Sequence, residues 1–187
     1  RLQEDRIADA AAAEFRRVGV RQASIDRIAE EAGVSRSTLY RRFPGKDDLL
    51  SAVMVRLRRE LVQQVAERVR GLDPRATVVE AFCLAISDLR RNELVRQLLG
   101  ENPEAVDVLI GLHLPRVEDL IDEFSRGILA TLRAAGASMP DHQLRLAAEI
   151  LVRTFASLTT APSQALDIDD PAAVREFATV FLAPMIW

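Results

Sequence analysis

Two short helical segments joined by a glycine, within residues 24–46, constrain the fold of this chain more than any other feature. Ser24 precedes apolar residues at helical spacing, and a serine before a helix can accept a backbone N–H with its side-chain oxygen. Gly33 follows that pattern, because glycine adopts at little cost the left-handed conformation that ends many helices. Ser35 can cap the second segment, and Pro44 disfavours helical geometry at the residue before it. The spacing therefore predicts a helix–turn–helix that ends near Pro44.

The exposed face of the second helix is basic. Leu39 and Phe43 take its buried positions, and the side chains predicted to face outward are Arg36, Ser37, Thr38, Tyr40, Arg41 and Arg42. Residues 1–46 carry ten basic and seven acidic residues, whereas the rest of the chain carries fifteen and twenty-one. A basic module on an acidic body matches phosphate binding at one end, and a helix–turn–helix of this kind fits the major groove of DNA. The alternative is a solvated helix pair in an ordinary helical protein, which the combined turn, caps and basic helix disfavour.

The same stretch resembles the N-terminal domain of the TetR family of bacterial transcriptional regulators. The motifs that carry the resemblance are Ser35-x-x-Thr38-Leu39-Tyr40-x-x-Phe43-x-x-Lys46-x-x-Leu49 and, before it, Ile28-Ala29-x-x-Ala32-Gly33-Val34. The match covers about the first 55 residues, and beyond them the resemblance is one of layout and length. It identifies the helix that begins after Ser35 as a recognition helix.

The resemblance also implies a set of residues that bind a double-stranded DNA operator. The set comprises Ser24, Ser35, Arg36, Ser37, Thr38, Tyr40, Arg41, Arg42 and Lys46. Arg36 and Ser37 are expected to reach base edges, with Thr38 on bases or backbone. Phosphate contacts are expected from Ser24, Tyr40 and Lys46. Arg41 and Arg42 are expected to add backbone contacts, unless one of them pairs with an acid of the body.

The whole chain is predicted to be all-α. Glycine and proline number only eight each, and no strand-like alternation is sustained. A first helix over residues 2–18, ended by Gly19, should brace the helix–turn–helix through Phe15, with Glu14 on its solvated face. We predict a DNA-binding domain over residues 1–46 and an effector-binding and dimerisation domain over residues 47–187. A long helix opens this body, and further helices are predicted at about 75–91, 93–99, 103–111, 115–135, 141–160 and 171–183.

Composition disfavours several other classes of protein. No apolar run reaches the roughly 18 residues that a membrane span needs, and the charged N-terminus lacks the apolar segment of a signal peptide. The single cysteine, Cys83, excludes an internal disulfide and a cysteine-rich zinc site. We therefore expect a cytoplasmic protein without a metal or other cofactor and without a membrane partner. An all-α enzyme is a remote alternative, because the only histidines, His113 and His142, are far apart in sequence.

Two apolar helices near the C-terminus predict that a second copy of the chain is a partner. The predicted interface comprises Leu144, Ala148, Leu151, Phe155, Leu158, Val174, Phe177 and Phe181. A twofold four-helix interface would cover such stripes, and the TetR resemblance implies dimerisation through the last two long helices. The alternative is that both stripes complete the core of a single chain.

The resemblance implies that the body binds a small molecule, which shifts the dimer between DNA-competent and DNA-incompetent spacings. The candidate lining is Phe82, Cys83, Ile86, Leu89, Leu98, Leu109, Leu120, Phe124 and Phe155. These residues predict a mainly apolar effector. Oxidant sensing by Cys83 is disfavoured, because apolar surroundings raise the pKa of a thiol. The alternative is a regulator that responds to a protein partner, or to no ligand, with a filled core. Repression is expected, since it is the commoner mode in the family.

Overall fold

The computed structural model describes residues 2–101, 117–161 and 163–187, and for residues 2, 98–101, 117–123 and 160 it describes the backbone alone. Within these ranges the chain forms helices and no strand, which confirms the all-α class. The helices in chain order are α1 (Leu2–Gln22), α2 (Ile25–Glu31), α3 (Arg36–Arg42), α4 (Lys46–Arg68), α5 (Pro74–Arg91), α6 (Glu93–Glu101), α7 (Val117–Ala134), α8 (Asp141–Thr160) and α9 (Pro171–Phe177). A π-helical turn, Ala178–Leu182, and a 3-10 turn, Ala183–Met185, follow α9. None of the helices so described is long and apolar enough to cross a bilayer.

The described residues group into two compact units. The first unit holds residues 2–60 and 91–101, and the second holds 61–90, 117–161 and 163–187. The first unit extends beyond the predicted boundary after residue 46, because both α4 and α6 contact α1. Arg56 of α4 bonds to the Asp9 carboxylate at 2.8 Å, and α6 packs against α1 with Leu94 and Val95 buried. A domain boundary after residue 46 stays a prediction.

The first helix brings an apolar face to the core of the first unit. Ile7, Ala11 and Phe15 recur at helical spacing and are fully buried. Gly19 breaks the regular helix with a φ of 76° and a ψ of 160°, and one further turn continues to Gln22. The prediction that Gly19 ends the first regular helix is therefore confirmed.

The core of the second unit joins residues that are far apart in the sequence. It is formed by Val78, Val79, Phe82, Ile86, Leu132, Ala137, Met139, Leu144, Ala147, Leu151, Val174, Ala178, Leu182, Ala183 and Ile186. The Phe82 ring lies edge-on to Phe155, with ring centroids 6.5 Å apart, and 5.9 Å from the Phe177 ring. The C-terminal backbone completes this core, because the Trp187 carbonyl accepts the N–H of Met139 at 3.0 Å.

The observed helix ends agree with the predicted ones in one C-terminal helix and differ in the other. The helix predicted over residues 141–160 is confirmed by α8, and the helix predicted over 103–111 lies outside the described residues. The helix predicted over 171–183 requires a correction, since α geometry stops at Phe177. The chain continues through the wider π-helical turn and then the tighter 3-10 turn. Pro184 has no N–H to donate to the Val180 carbonyl, so the α-helical hydrogen bond that would close the last predicted turn is missing.

Candidate nucleic-acid interface

Two serine caps and one glycine set the bounds of α2 and α3. The Ser24 hydroxyl accepts the N–H of Arg27 at 3.4 Å, and the Ser35 hydroxyl accepts the N–H of Thr38 at 3.2 Å. Gly33, between the helices, has a φ of 64°. Both predicted caps and the predicted turn are therefore confirmed. The caps give an intramolecular partner to backbone N–H groups at the helix starts, which have no partner within the helix itself.

The predicted recognition helix, α3, is anchored by one side chain and exposes most of the others. Leu39 is fully buried, whereas Tyr40 is 44% exposed. The other exposed side chains of this helix are Arg36, Ser37, Arg41 and Arg42. Thr38 is half-buried, and its hydroxyl lies 2.8 Å from the Ser35 hydroxyl. The result is a polar and mostly basic face, and the buried side chain of Leu39 holds it in place.

Three of the predicted DNA-binding cations have partners within the first unit. Nε of Arg36 lies 2.5 Å from Oδ1 of Asp26, and Nη1 of Arg42 lies 2.5 Å from Oε1 of Glu4. Nζ of Lys46 donates to the backbone carbonyl of Arg21 at 2.7 Å. Arg42 thus pairs with an acid of α1, whereas an acid of the body had been the alternative. An exposed ion pair such as Arg42–Glu4 contributes at most about 1 kcal/mol, so a phosphate can displace Glu4 from Arg42 at little cost.

A buried carboxylate supports the start of α2, and sequence reasoning missed it. Glu14 was expected on a solvated face, but it is only 3% exposed. Its carboxylate accepts the N–H of Ser24 at 3.0 Å and the Arg17 guanidinium at 2.8 Å, and Arg27 lies 3.7 Å away. Burial alone would raise the pKa of Glu14, but the Ser24 N–H and the two guanidinium groups outweigh burial and hold that pKa below its ordinary value.

The burial of Glu14 beside α2 could be inferred only if the position of Ser24 in the folded chain were known. Ten residues separate the two, so their contact follows no helical spacing. The charge of Glu14 is retained in the interior because each of its oxygens has a hydrogen-bond donor. The arrangement ties α1 to Ser24, which caps α2 and is itself a predicted phosphate contact.

The residues of the predicted dimer interface differ in their exposure. Leu144, Ala148, Leu151 and Val174 are buried within the single chain. Their burial agrees with the alternative that they complete the core of one chain, and their place in a dimer interface stays a prediction. The half-buried members of the predicted set are Phe155, Leu158 and Phe177. Phe181 is 65% exposed, and its place in an interface stays a prediction.

The predicted effector lining divides into three groups. Phe82 and Ile86 belong to the core of the second unit, with Cys83 and Phe155 packed against it. Leu89 is buried on the same helix, and Phe124 is half-buried. Leu109, and the side chains of Leu98 and Leu120, lie outside the described residues. Burial raises the pKa of the Cys83 thiol, which agrees with the prediction that this cysteine is a poor oxidant sensor.

Comparison with known proteins gives a family from the sequence and a shared fold from the structure. The family model described as bacterial regulatory proteins, tetR family, matches residues 7–53. The HTH-type transcriptional regulator BetI of Cronobacter sakazakii is 30% identical over 148 residues, which are 79% of this chain and 72% of that protein. Among solved structures, the TetR family repressor AlkX of a Dietzia strain gives a TM-score of 0.75 at 21% identity, with 97% of this chain and 93% of that one covered. The repressor QsdR of R. erythropolis gives a TM-score of 0.66 at 17% identity, with 99% and 94% covered.

Proposed function

The chain belongs to the TetR family of DNA-binding transcriptional regulators, and we propose that it is a repressor that binds a palindromic operator as a homodimer and is released by a small molecule. One observation carries the DNA-binding part of this proposal. The start of α3 exposes Arg36 and Ser37, while the buried Leu39 and the Ser35 cap fix the helix behind them. An exposed basic helix start is the part of a helix–turn–helix that reads base edges.

The proposed contacts divide into those that read bases and those that position the protein. Arg36 can donate two parallel hydrogen bonds to O6 and N7 of guanine, a contact worth about 1–3 kcal/mol of discrimination. Ser24, Tyr40 and Lys46 supply a hydroxyl, a phenol and an ammonium for phosphate oxygens, which carry no sequence information. Lys46 has three N–H donors and uses one on the Arg21 carbonyl, so it can keep that bond while it contacts phosphate.

A second copy of the chain is proposed because large apolar side chains remain exposed on the two C-terminal helical segments. Leu146 and Ile150 lie four residues apart on α8, so they share one face of the helix. Val180 and Phe181 are exposed on the turn that follows α9. Apolar side chains grouped in this way are typical of an interaction surface. A twofold dimer would place two copies of α3 on half-sites separated by about one turn of DNA or a multiple of it.

The proposed effector acts by preferring one spacing of the two recognition helices. Such a ligand shifts the population in proportion to its differential affinity for the two states. The described contacts of Phe82 favour a rival version, in which the core around this ring is filled and regulation comes from a protein partner or from no ligand. Thermal denaturation with a panel of apolar and weakly polar metabolites separates the two versions, because a molecule that binds only the native state must raise the melting temperature. No rise for any compound in the panel would favour the rival.

The operator part of the proposal is tested by selection of bound fragments from the source genome. The purified protein is incubated with sheared genomic DNA without added ligand, and the retained fragments are sequenced. We expect a short inverted repeat beside a gene to be enriched. Retention of DNA without any enriched sequence would contradict specific operator recognition by the protein as isolated.

A further inference from the structure

The base-reading arginine is bonded to a carboxylate of the neighbouring helix. Oδ1 of Asp26 lies 2.5 Å from Nε of Arg36. Asp26 stands in the first turn of α2, and both side chains are more than half exposed, at 57% and 64%. Residues 32–46 contain no acid, so the negative charge beside α3 comes from another helix.

The position of this bond on the guanidinium matters for base recognition. A guanidinium carries five N–H donors in a planar fork, one on Nε and two on each terminal nitrogen. The bond to Asp26 engages the Nε side of Arg36. The two terminal nitrogens form the end of the fork, and this end is able to reach O6 and N7 of guanine together. The carboxylate and a guanine can therefore hold the same guanidinium at once.

We propose that Asp26 is a positioning residue for sequence recognition, which holds the Arg36 guanidinium so that its terminal nitrogens point at a guanine. This inference rests on the proposed role of Arg36 as a base-reading residue. An unrestrained arginine side chain has many rotamers and can turn to a phosphate of any sequence. A carboxylate on the Nε side restricts those rotamers before DNA arrives and so lowers the entropy lost on binding.

The charge of Asp26 acts in the same direction. A carboxylate on a DNA-facing surface repels phosphates whatever the sequence, so it weakens binding to non-operator DNA. Selectivity is a difference between two affinities, and a group that penalises the wrong partner raises it as effectively as one that favours the right partner. Asp26 would do both, because it orients Arg36 for guanine and disfavours contact with DNA that offers only phosphates.

The experiment selects DNA from a library of duplexes with a random central segment, using the unaltered chain, four single variants and one double variant. Asp26→Asn removes the charge and keeps the size, and Asp26→Glu keeps the charge but moves it by one methylene. Glu30→Gln is the matched control, because Glu30 is an exposed acid of the same helix, one turn away. Arg36→Ala marks the base position that this arginine reads.

We expect Asp26→Asn to lower the preference for guanine at that position by about fivefold, the upper range for an exposed ion pair. The same variant should bind random-sequence duplex more tightly than the wild type does. Asp26→Glu should leave random-sequence binding unchanged and recover part of the guanine preference. Glu30→Gln should strengthen random-sequence binding without a change in base preference. A guanine preference unaltered in Asp26→Asn would overturn the proposal, as would an equal loss in Glu30→Gln.

A failure of base reading by Arg36 and a failure of positioning by Asp26 give different results. If Arg36→Ala selects the same sequences as the wild type, Arg36 does not read a base, and the role of Asp26 is overturned together with it. If Arg36→Ala loses one guanine and Asp26→Asn keeps it, base reading by Arg36 stands and only the positioning role of Asp26 is overturned. In the Arg36→Ala background, Asp26→Asn should change random-sequence binding alone.

Discussion

The helix–turn–helix and the C-terminal segment are both helical, but contacts of very different range hold them in place. Ser35 caps α3 through a residue three positions away. At the C-terminus, the Ile186 carbonyl instead accepts a hydrogen bond at 3.1 Å from Arg75, which is 111 positions away in sequence. The start of α3 is therefore stabilised by residues close to it in the sequence. The C-terminal segment makes its contacts only when distant parts of its unit have folded.

The largest effect is expected from a core substitution in the first unit. Phe15 is fully buried, so Phe15→Ala should lower the free energy of unfolding by about 4 kcal/mol through lost burial and a cavity. Hydrogen exchange measured by mass spectrometry should show faster exchange in α1–α3 and α6 and unchanged exchange in α8. A loss below about 1 kcal/mol by urea denaturation would mean that Phe15 does not brace the helix–turn–helix.

A core substitution in the second unit tests whether long-range contacts hold the C-terminal segment in place. Ile186 is fully buried in the second unit, and Ile186→Ala should cost about 3 kcal/mol. Exchange should accelerate in α5 and α8, where its core partners lie, while α2 and α3 keep their protection. Faster exchange confined to the last few residues would show that this segment is not part of the core.

The buried acid of the first unit predicts a pH-dependent stability. The pKa of Glu14 is lower in the folded chain than its ordinary value of about 4.5. Its contribution is therefore fully present above that value and is lost as the pH falls through the folded pKa. Glu14→Gln should cost about 1.5 kcal/mol at pH 7, because hydrogen bonds to a charged group are replaced by weaker ones. The difference from the wild type should shrink at pH 3, and a difference that is constant from pH 7 to pH 3 would contradict this account.

A partly exposed acid of the second unit, Glu80, provides the contrasting small effect. Glu80 accepts from Arg175 at 2.5 Å, and this hydrogen bond is the main reason that the pKa of Glu80 is lowered. Both side chains remain open to solvent, so Glu80→Gln should cost less than about 1 kcal/mol. Urea denaturation in 1 M salt should reduce the difference further. A loss as large as that of Glu14→Gln would break the distinction between buried and exposed carboxylates.

The same distinction in range explains what the sequence could predict. Ser24, Gly33 and Ser35 were identified correctly because a cap and a glycine turn depend on residues within about four positions. Glu14 was placed on the wrong face because its partner Ser24 belongs to the next helix. For Leu144 the periodicity identifies a buried stripe without identifying whether the same chain or a second copy covers it, and in the single chain Leu144 is already buried.

The sequence also could not show how the predicted DNA-binding cations are arranged before DNA binds. Arg36 was expected to face solvent, and it does so, but its bond to Asp26 required the angle between α2 and α3. Charge counts over a segment cannot identify such pairs, because the two partners belong to different helices. The pairing of side chains across the turn between α2 and α3 could therefore not be predicted from the sequence.

The central claim, that α3 reads bases through Arg36 while Lys46 only binds phosphate, is tested most directly by comparing Arg36→Ala with Lys46→Ala. The affinity of each variant for a selected operator duplex and for a scrambled duplex is measured by fluorescence anisotropy over a series of salt concentrations. Arg36→Ala should lower the ratio of the two affinities by about tenfold. Lys46→Ala should weaken both duplexes equally and reduce the slope of log affinity against log salt by about one. Equal losses on both duplexes for Arg36→Ala would contradict base reading by α3.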